Sequence, residues 1–391
     1  MPGDGIGRVV MQEALRVLDA AGFDANFVEG DIGWDFWCNE GNALPERTIK
    51  LLEEHKVGLF GAITSKPKEE AAAELSPGLR GKGLVYASPI VGMRQYFDLD
   101  ICIRPCRTYK GNPLNFIRRG PHGEIEEPVV DVVIFRQNTE GLYCGVEWSH
   151  PDGIVYEALR THKNFVKNFG KVPREEIAVS TRIFTRKATE RILRAAFEHA
   201  AKHGYKSVTL CEKPNVIRET SGMMYNMAKA MQLEYAGIEL WNTNIDAQMM
   251  WLTKNPEDYG VIAAGNMFGD IVSDGFAGLI GGLGFACSAN IGDSVAVFEP
   301  THGSAPKYAD YVVSIVNPIA MIESACMMLD YLKEKTMGDK IRKAITKVIQ
   351  EGEVRTYDMM KLKGSRDALK QGAASTREMG DAIIKKVISN E

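Results

Sequence analysis

Apolar runs of strand length alternate along the chain with segments of helical periodicity. Near the start, Val9, Val10 and Leu18 recur at helical spacing, and Gly22 ends the predicted helix. The further predicted helices are 48–55, 193–203, 222–232 and 321–333, and the predicted strands are 57–63, 131–135, 208–212, 260–266 and 295–300. Strands that alternate with helices in this way are typical of an α/β fold with a largely parallel sheet.

Two segments do not follow this alternation. Residues 141–185 have weaker periodicity, so this stretch could be an excursion from the sheet. Met1–Gly7 is a glycine-rich turn that leads directly into the first helix, although a strand would normally precede such a turn. Either the start is truncated or the edge of the sheet is built differently. Because the G-x-G-x-x-G spacing is absent, the turn by itself is only a weak phosphate-binding signal.

Length and composition narrow the class of protein. At 391 residues the chain is long enough for two domains. Its hydrophobic and charged contents, 45% and 25%, are those of a soluble globular protein, and a formal net charge of -4 gives no sign of nucleic acid as a partner. No run approaches the roughly 18 apolar residues of a membrane span, and we expect no secretory leader. Seven scattered cysteines indicate reduced thiols and a cytoplasmic location.

Two acids stand four residues apart in the stretch GNMFGDIVSDG. Asp270 and Asp274 follow the predicted strand 260–266, and a helix here would place both carboxylates on one face. Paired carboxylates at this spacing suit a hard divalent cation such as Mg²⁺ or Mn²⁺. The alternative is a solvated helix face that carries two acids. The flanking glycine, methionine, phenylalanine, isoleucine and valine residues favour the metal site.

Three arginines stand close to the ends of predicted elements. Arg94 and Arg104 are ten residues apart, and Arg136 directly follows the strand 131–135. Since the guanidinium group is the best bidentate partner of a carboxylate, the three together indicate a substrate with more than one carboxylate. The alternative for each of them is a surface or ion-paired arginine.

Polar residues follow other predicted strands as well. Thr64 begins a polar loop after the strand 57–63, at the position where open α/β sheets bind ligands. Tyr143 is a candidate acid. Lys213, directly after the strand 208–212, is a candidate base, because nearby cations can lower the pKa of a lysine enough for proton transfer near neutrality.

Several motifs together resemble one family, the metal-dependent β-decarboxylating dehydrogenases of the isocitrate/isopropylmalate dehydrogenase group, and most of all its bacterial NADP-dependent isocitrate enzymes. The motifs lie in the family's order over almost the whole chain. They are PGDGIG (2–7), DLDICIRP (98–105), FRQNTEGLYCGVEW (135–148), EKPNVI (212–217), GNMFGDIVSDG (265–275), EPTHGSAPKYA (299–309) and GDAI (380–383).

The resemblance implies an α/β fold of the isocitrate/isopropylmalate dehydrogenase type, which is not a Rossmann fold. It implies a large domain made of 1–99 and 281–391, a small domain made of 100–140 and 186–280, and a clasp, 141–185, that joins two subunits. The expected assembly is a homodimer with shared active sites.

The resemblance also implies roles for individual residues. Tyr143 is the expected proton donor, and Lys213 is expected to reach the active site of the neighbouring subunit. Asp246, supplied across the dimer, is expected to bind the metal together with Asp270 and Asp274. The residues expected to bind the substrate are Ser88, Arg94, Arg104, Arg136 and Asn215.

The cofactor implied by the resemblance is NADP, with its adenosine part held by the loop after residue 300. Lys307 and Tyr308 resemble the NADP-preferring version, in which a cation and a hydroxyl meet the 2′-phosphate, whereas the NAD-preferring version carries an aspartate there. Lys361 stands where bacterial NADP enzymes often have arginine, and Asn317 resembles the residue that contacts adenine. The expected cofactor-binding residues are Thr64, Glu299, His302, Gly303, Ser304, Ala305, Lys307, Tyr308, Asn317, Tyr357 and Lys361.

Fewer positions indicate the identity of the substrate than indicate the cofactor. Ser88 matches the serine that contacts the distal carboxylate in isocitrate enzymes, and Ala87 replaces the glutamate usual in isopropylmalate enzymes. Ile90 and Phe60 depart from the isocitrate pattern, and Lys66 is the candidate replacement for the charge that is missing at position 60. We therefore expect NADP-dependent oxidative decarboxylation of isocitrate, a tricarboxylate, with Mg²⁺ or Mn²⁺. The alternatives are an NAD(P)-dependent dehydrogenase of 3-isopropylmalate, homoisocitrate or tartrate, and a non-catalytic regulatory subunit.

Overall fold

The computed structural model describes residues 1–389, which form a mixed α/β architecture around one large sheet. The strands are β1 (Val57–Leu59), β2 (Ile101–Arg107), β3 (Arg118–Arg119), β4 (Ile125–Glu126), β5 (Asp131–Gln137), β6 (Glu147–Trp148), β7 (Val179–Ser180), β8 (Ser207–Glu212), β9 (Glu239–Asn244), β10 (Val261–Ala264), β11 (Cys287–Ile291) and β12 (Ala296–Pro300). The large sheet has eight strands in the order β1-β12-β11-β2-β5-β10-β8-β9.

The five helices that the periodicity predicts are present, and the one predicted at 193–203 begins earlier, at Arg186. They are α1 (Ile6–Ala21), α2 (Trp34–Glu40), α3 (Glu46–His55), α4 (Lys68–Ala73), α5 (Pro89–Tyr96), α6 (Gly153–Arg160), α7 (Lys163–Phe169), α8 (Arg186–His203), α9 (Thr220–Gln232), α10 (Ile245–Trp251), α11 (Asn266–Leu279), α12 (Ile319–Tyr331), α13 (Lys335–Glu351) and α14 (Thr376–Ile388). Among residues 1–389, none of the helices combines the length and the apolar composition needed to cross a lipid bilayer.

The α/β fold class is confirmed, but the sheet is less parallel than predicted. β1 with β12, and β5, β10, β8 and β9 with one another, make the four parallel pairings. The three pairings in the middle, from β12 through β11 and β2 to β5, are antiparallel. An apolar run shows that a strand is buried, but it carries no information about the direction of its neighbour.

The two faces of the sheet bury different hydrophobic clusters. In β5, Ile134 belongs to the cluster formed with α1, α12, α13 and α14, whereas Phe135 belongs to the cluster formed with α8 and α9. Successive side chains of a strand point to opposite faces, so helices cover this strand on both sides. Burial of each such side chain contributes roughly 1.5–3 kcal/mol, which explains why the continuous apolar run predicts this strand well.

The order of strands groups the segments of the predicted domains. The strands from 1–99 and 281–391 occupy one end of the sheet, and those from 100–140 and 186–280 occupy the other. The junction is the antiparallel pairing of β11 with β2. The division into two domains stays a prediction, and the sheet itself is continuous across the boundary.

Residues 141–185 leave the main sheet. β6 and β7 pair as a separate two-stranded sheet, and no residue of α6 or α7 is buried. Ile154 is 85% exposed, and Val166 and Phe169 are each about half exposed. This segment therefore presents apolar side chains to its surroundings, which is compatible with the expected clasp between subunits.

The first residues line the open edge of β1. Gly3 bridges Ala62 in the parallel direction, and the Asp4 amide donates to the Ala62 carbonyl over 2.8 Å. The terminal ammonium of Met1 donates to the Leu59 carbonyl, and burial lowers its pKa to about 6. Met1–Gly3 thus pair along this edge of the sheet. An apolar cavity of about 860 Å³ lies beside it.

Candidate active site

Helix α11 carries the two acids at its centre. The helix predicted after Phe268 is confirmed, and it buries Val272 and Phe276. The side chains of Asp270 and Asp274, one turn apart, are 32% and 58% exposed. Both carboxylates lie within 3.4 Å of the same guanidinium of Arg104, so they share one face of the helix.

Two of the three arginines converge on Asp270. Arg104 Nη1 donates to Asp270 Oδ1 over 3.0 Å, to Ser273 Oγ over 2.7 Å and to Asp274 Oδ1 over 3.4 Å. Arg136 Nη1 also donates to Asp270 Oδ1, while its Nε and Nη2 donate to Asn266. Both arginines are nearly fully buried. They require these acceptors, because a buried guanidinium without partners would be strongly destabilising.

The charges in this group set its protonation states. Burial raises the pKa of Asp270, but Arg136 and Arg104 outweigh it and hold the pKa below the ordinary aspartate value. For Asp274, burial prevails over the attraction of Arg104 and raises the pKa. Burial and the charge of Arg104 lower the pKa of Arg136 to about 10, which leaves it charged at neutral pH.

Tyr143 completes this group. Its hydroxyl donates to Asp270 Oδ2 over 3.3 Å, and Arg136 lies over its ring at 5.6 Å. The side chain is 42% exposed, so its hydroxyl is accessible. Burial, and then the negative charge of Asp270, raise the pKa of Tyr143 above its ordinary value, so it keeps its proton at neutral pH. We refer to Arg104, Arg136, Tyr143, Asp270 and Asp274 as the Asp270 cluster.

The third arginine has a separate set of direct contacts. Arg94 Nη2 donates to Glu299 Oε1 over 2.8 Å, and its Nε donates to Asn290. Its positive charge still lowers the pKa values of Asp270 and Arg136, which places it in the same electrostatic environment. The three guanidinium groups therefore share one region, although only two of them touch Asp270. Glu299, an expected cofactor contact, is buried and holds Arg94.

Lys213 and Asp246 form a second, separate group. Lys213 Nζ lies 2.6 Å from Asp246 Oδ1, and this contact lowers the pKa of Asp246. Their side chains are 25% and 67% exposed. Among residues 1–389, no cluster of three potential metal ligands is present, so one chain brings Asp270 together with Asp274 but not with Asp246. The expected supply of Lys213 and Asp246 across a dimer stays a prediction.

Two of the expected substrate contacts lie at the start of helices or loops. Ser88 is the N-cap residue of α5, and its side chain makes no capping hydrogen bond. Asn215, two residues beyond Lys213, is exposed. Neither residue is joined to the Asp270 cluster by a hydrogen bond within the described part of the chain.

The positions that bear on the substrate differ in their surroundings. Phe60 is 2% exposed and belongs to a small apolar cluster, against which Ile90 packs. Lys66 is not a free charge, because its ammonium lies 2.5 Å from Glu74 and 5.1 Å from the ring centre of Trp34. The expected replacement of a substrate-binding lysine by Lys66 would require that it leave these partners.

The glycine-rich N-terminal turn packs directly on the expected cofactor loop. Gly5 has a φ of +52°, and a Cβ there would lie 2.3 Å from the Ser304 carbonyl oxygen, so only glycine fits. The Thr64 hydroxyl bonds with the Ser304 hydroxyl over 2.7 Å. The Nε2 atom of His302 is buried and, within the described residues, has no partner. This donor or acceptor remains available to a ligand beside the exposed Gly303.

The expected 2′-phosphate contacts are partly open to solvent. Lys307 and Lys361 are exposed, whereas Tyr308 is only 6% exposed and lies 5.7 Å from Tyr357 between ring centres. Asn317 is buried, and its amide nitrogen donates to Asp358 over 3.1 Å. The two lysines are therefore the cations that a phosphate could reach.

The residues present fit a divalent cation and a phosphorylated nucleotide. Asp270 and Asp274 supply hard oxygen donors, and the remaining positions around a cation suit water or substrate oxygens. Arg104 Nε is buried and, in the described residues, unpartnered, so it is a donor available to a substrate carboxylate. Lys307 and Lys361 provide the positive charge for a phosphate.

Several residues around these groups had no predicted role. Asn266 and Ser273 hold the arginines, and Asn290 joins Arg94 to Glu299. Glu212 and Arg182 form a buried ion pair beside Lys213. Asn266, Ser273 and Glu212 lie inside the family motifs, so their position in a motif could have identified them as site residues. Nothing local marks Asn290 or Arg182.

Comparison with known proteins gives a consistent result. The family model for isocitrate/isopropylmalate dehydrogenase matches residues 1–383. A crystal structure of isocitrate dehydrogenase from Methylococcus capsulatus aligns with a TM-score of 0.80 at 33% identity, over 99% of this chain and 98% of that one.

Two curated relatives carry different names. Homoisocitrate dehydrogenase from Methanocaldococcus jannaschii is 37% identical over 385 residues, which cover 98% of this chain and 96% of the relative. Protein DlpA from Legionella pneumophila is 36% identical over 387 residues, which cover 98% of this chain. The chain spans only 57% of the length of DlpA.

Proposed function

The chain belongs to the isocitrate/isopropylmalate dehydrogenase family, and from this premise we propose that it catalyses the NADP-dependent oxidative decarboxylation of isocitrate to 2-oxoglutarate and CO₂ with Mg²⁺ or Mn²⁺. The family consists of oxidatively decarboxylating dehydrogenases that act on small carboxylate substrates with a divalent metal and NAD or NADP. Isocitrate and NADP are the specific choices of the proposal.

One observation carries the proposal, namely the convergence of Arg104, Arg136 and Tyr143 on Asp270. A metal-binding acid, two carboxylate-binding cations and a proton donor are the groups that oxidative decarboxylation of a 2-hydroxy acid requires. A mere structural ion pair would not need the partly exposed hydroxyl of Tyr143 at its edge. A regulatory subunit would be expected to lack some of these residues.

Substrate binding follows from the charges. Asp270 already holds Arg104 and Arg136 in place, and the Nε of Arg104, unpartnered within the described residues, remains as a donor for a substrate carboxylate. Arg94 adds a third positive charge, and Ser88 offers a free hydroxyl at the start of α5. Three arginines suit the three carboxylates of isocitrate.

Proton transfer is divided between two residues. When bound, the divalent metal supplies Lewis acidity for the substrate hydroxyl, and NADP accepts the hydride. Lys213 of the partner subunit, directly or through a water molecule, would then help to take up the hydroxyl proton. After CO₂ leaves, Tyr143 donates a proton to the enol carbon. The raised pKa of Tyr143 fits this role, since the donor must hold its proton at neutral pH.

The choice of NADP rests on charge at the end of the cofactor loop. Lys307 is exposed, and its ammonium lies 4.6 Å from the ring centre of Tyr308. Lys361 adds a second exposed cation, although a lysine lacks the bidentate geometry of an arginine. Positive charge favours a 2′-phosphate over a free ribose hydroxyl, and the absence of an aspartate at position 307 removes the usual repulsion.

The proposed assembly is a homodimer in the cytoplasm. Residues 141–185 would form the clasp, because their exposed apolar side chains would be buried against a second copy. Lys213 and Asp246 would enter the partner's site. The substrate would then be enclosed between the two domains. The large domain consists of 1–99 and 281–391, and the small domain consists of 100–140 and 186–280.

Homoisocitrate is the second candidate substrate. The specific observation is that positions 60 and 90 carry aliphatic or aromatic side chains that pack in an apolar cluster. Phe60 itself is buried, so the partly exposed Ile90 would be the apolar contact for a longer substrate chain without a lysine partner. The name of the Methanocaldococcus jannaschii relative points in the same direction.

The test is a panel of initial rates with isocitrate, homoisocitrate, 3-isopropylmalate and tartrate, each with NADP and with NAD, in the presence of Mn²⁺. We expect the highest kcat/KM for isocitrate with NADP. Preference for homoisocitrate would replace the proposed substrate, and preference for NAD would refute the role given to Lys307. The variant Lys307→Asp, beside Lys363→Asp as a control for charge, should shift the preference toward NAD by about tenfold or more.

A further inference from the structure

A buried glutamate, Glu212, lies between Lys213 and the helix α11 that carries Asp270. Glu212 is the last residue of β8, directly before Lys213, and it is 0% exposed. Its Oε2 accepts from Arg182 over 2.8 Å and from the Ser221 hydroxyl over 2.6 Å. Its Oε1 accepts from Arg182 over 3.1 Å and from the Gly265 amide over 2.8 Å. Both carboxylate oxygens are therefore fully engaged.

These partners belong to three separate parts of the chain. Arg182 comes from the segment 141–185, Ser221 from the first turn of α9, and Gly265 is the N-cap residue of α11. Arg182 Nη1 also donates to Ser221 and Thr220, and its guanidinium lies 4.4 Å from the ring centre of Phe184. The network thus ties the end of β8, which directly precedes Lys213, to the helix that carries Asp270.

The packing around Gly265 leaves no room for a side chain at this position. A Cβ on Gly265 would lie 2.5 Å from Glu212 Oε1 and 2.6 Å from the Phe184 ring. The amide of Gly265 is one of the donors at the helix start that lack a partner inside the helix, and Glu212 satisfies it. The amide of Lys213 in turn faces the Ser221 hydroxyl at 3.5 Å.

We propose that Glu212 and Arg182 are positioning residues, which hold Lys213 and the start of α11 in the relative placement that the reaction requires. This inference rests on the proposed function, because it assigns no contact with the substrate to either residue. A carboxylate is suited to the task, since one planar group accepts from two directions and from a guanidinium fork at once. A side-chain amide of the same shape has only one accepting oxygen and cannot keep all four bonds.

The experiment compares Glu212→Gln with Glu323→Gln. Glu323 is a matched control, because it is a buried glutamate, 7% exposed, that pairs with Arg342 at 3.4 Å and accepts from Tyr109, and it lies on α12. We expect Glu212→Gln to lower kcat about tenfold or more and KM for substrate to change less, as for groups that orient catalytic residues. Glu323→Gln should leave kcat within about twofold even where it lowers the melting temperature as much.

Amide hydrogen exchange provides a measurement that does not depend on turnover. Glu212→Gln should accelerate exchange at Gly265 and Lys213, whereas Glu323→Gln should not. Mn²⁺ binding, followed by electron paramagnetic resonance, should weaken a few-fold only in Glu212→Gln. Unchanged exchange at Gly265, or a loss of kcat equal in the two variants at equal thermal stability, would overturn the proposal. Hydrogen exchange is measured without substrate. If the protein oxidised none of the four acids, the proposed function would be refuted, but the exchange comparison of Glu212→Gln with Glu323→Gln would still test the positioning role.

A milder variant covers the case in which Glu212→Gln does not fold. Ser221→Ala removes one hydroxyl from the network and leaves the Arg182 pair with Glu212 in place. We expect a smaller fall in kcat, about threefold, with faster exchange at Lys213. Wild-type kcat together with wild-type exchange in Ser221→Ala would contradict the proposal.

Discussion

The Asp270 cluster and the Lys213–Asp246 pair differ in how complete each is within one chain. Asp270 contacts Arg104, Arg136 and Tyr143, and both arginines are nearly fully buried. Asp246 is 67% exposed at the side chain, and its ion pair within the described chain is with Lys213 alone. The cluster is preassembled, whereas the pair lies at the surface.

The difference indicates what each group is for. An exposed ion pair contributes little to stability, so stability does not explain the pair. Its exposure instead leaves both side chains accessible to a second chain. The Asp270 cluster holds buried charges, and in the folded protein each of them requires an oppositely charged partner. We infer that the cluster forms the fixed half of the site and the pair the half that is presented outward.

The largest expected effect is that of Asp270→Asn. The change removes the charge that Arg104 and Arg136 share, together with one proposed metal donor, so kcat/KM should fall about 10³-fold or more and Mn²⁺ should bind roughly 100-fold more weakly. Steady-state kinetics and Mn²⁺ titration measure both. Asp24→Asn, at an exposed loop position, is the control. Unaltered Mn²⁺ dependence of Asp270→Asn would show that the metal assignment is wrong.

Tyr143→Phe should have the next largest effect. Loss of the proposed proton donor should lower overall oxidative decarboxylation by about 10²-fold or more, while reduction of the keto intermediate with NADPH should be affected less. The ring remains under Arg136, so binding should change little. Tyr96→Phe serves as the control, since Tyr96 is exposed and donates to Glu53. Full decarboxylation by Tyr143→Phe would exclude it as the donor.

Mixed dimers test the inferred division between the two groups directly. Asp270→Asn and Lys213→Met should each be inactive alone. The two variants are mixed, unfolded and refolded together, so that about half of the dimers contain one chain of each variant. If Lys213 acts in the partner's site, each mixed dimer has one wild-type site out of two, and about a quarter of the wild-type activity should return. If both residues serve the same chain, no activity should return. Wild-type protein refolded in the same way gives the reference value.

The smallest expected effect concerns the sheet beneath both groups rather than the groups themselves. Burial, then the neighbouring His203 and Arg107, lower the pKa of His199 to about 4. Because the unfolded chain binds the proton near 6.5, stability is fully present above that pH and is lost as the pH falls toward 4. The loss should reach about 2 kcal/mol at about pH 5.

His199→Phe should remove most of this loss. The replacement keeps an aromatic ring beside Phe135 and deletes Nε2, which is buried and has no partner in the described residues. Urea unfolding at pH 7 and at about pH 5 measures the difference. His122→Gln, at an exposed turn, should keep the wild-type dependence. An equal loss of stability in His199→Phe would assign the acid sensitivity to other groups.

The elements that local patterns describe were predictable. The helical spacing before Gly22 predicted α1, and apolar runs predicted β5, β8, β10 and β12. β9 has the sequence ELWNTN and β11 the sequence CSANI, and neither shows an apolar run. These two strands were not predicted, because they are held by pairing with β8 and with β12 and β2 rather than by their own composition.

The sequence by itself determined the α/β class, the family, and the presence of Asp270 and Asp274 on one face of a helix, because each depends on residues a few positions apart. Only the tertiary structure decided the antiparallel centre of the sheet and the partners of the charged groups. Arg94 and Glu299 are 205 residues apart, and Lys213 and Asp246 follow different strands, β8 and β9. Such partners are chosen by how the sheet assembles, and local periodicity contains no information about that assembly.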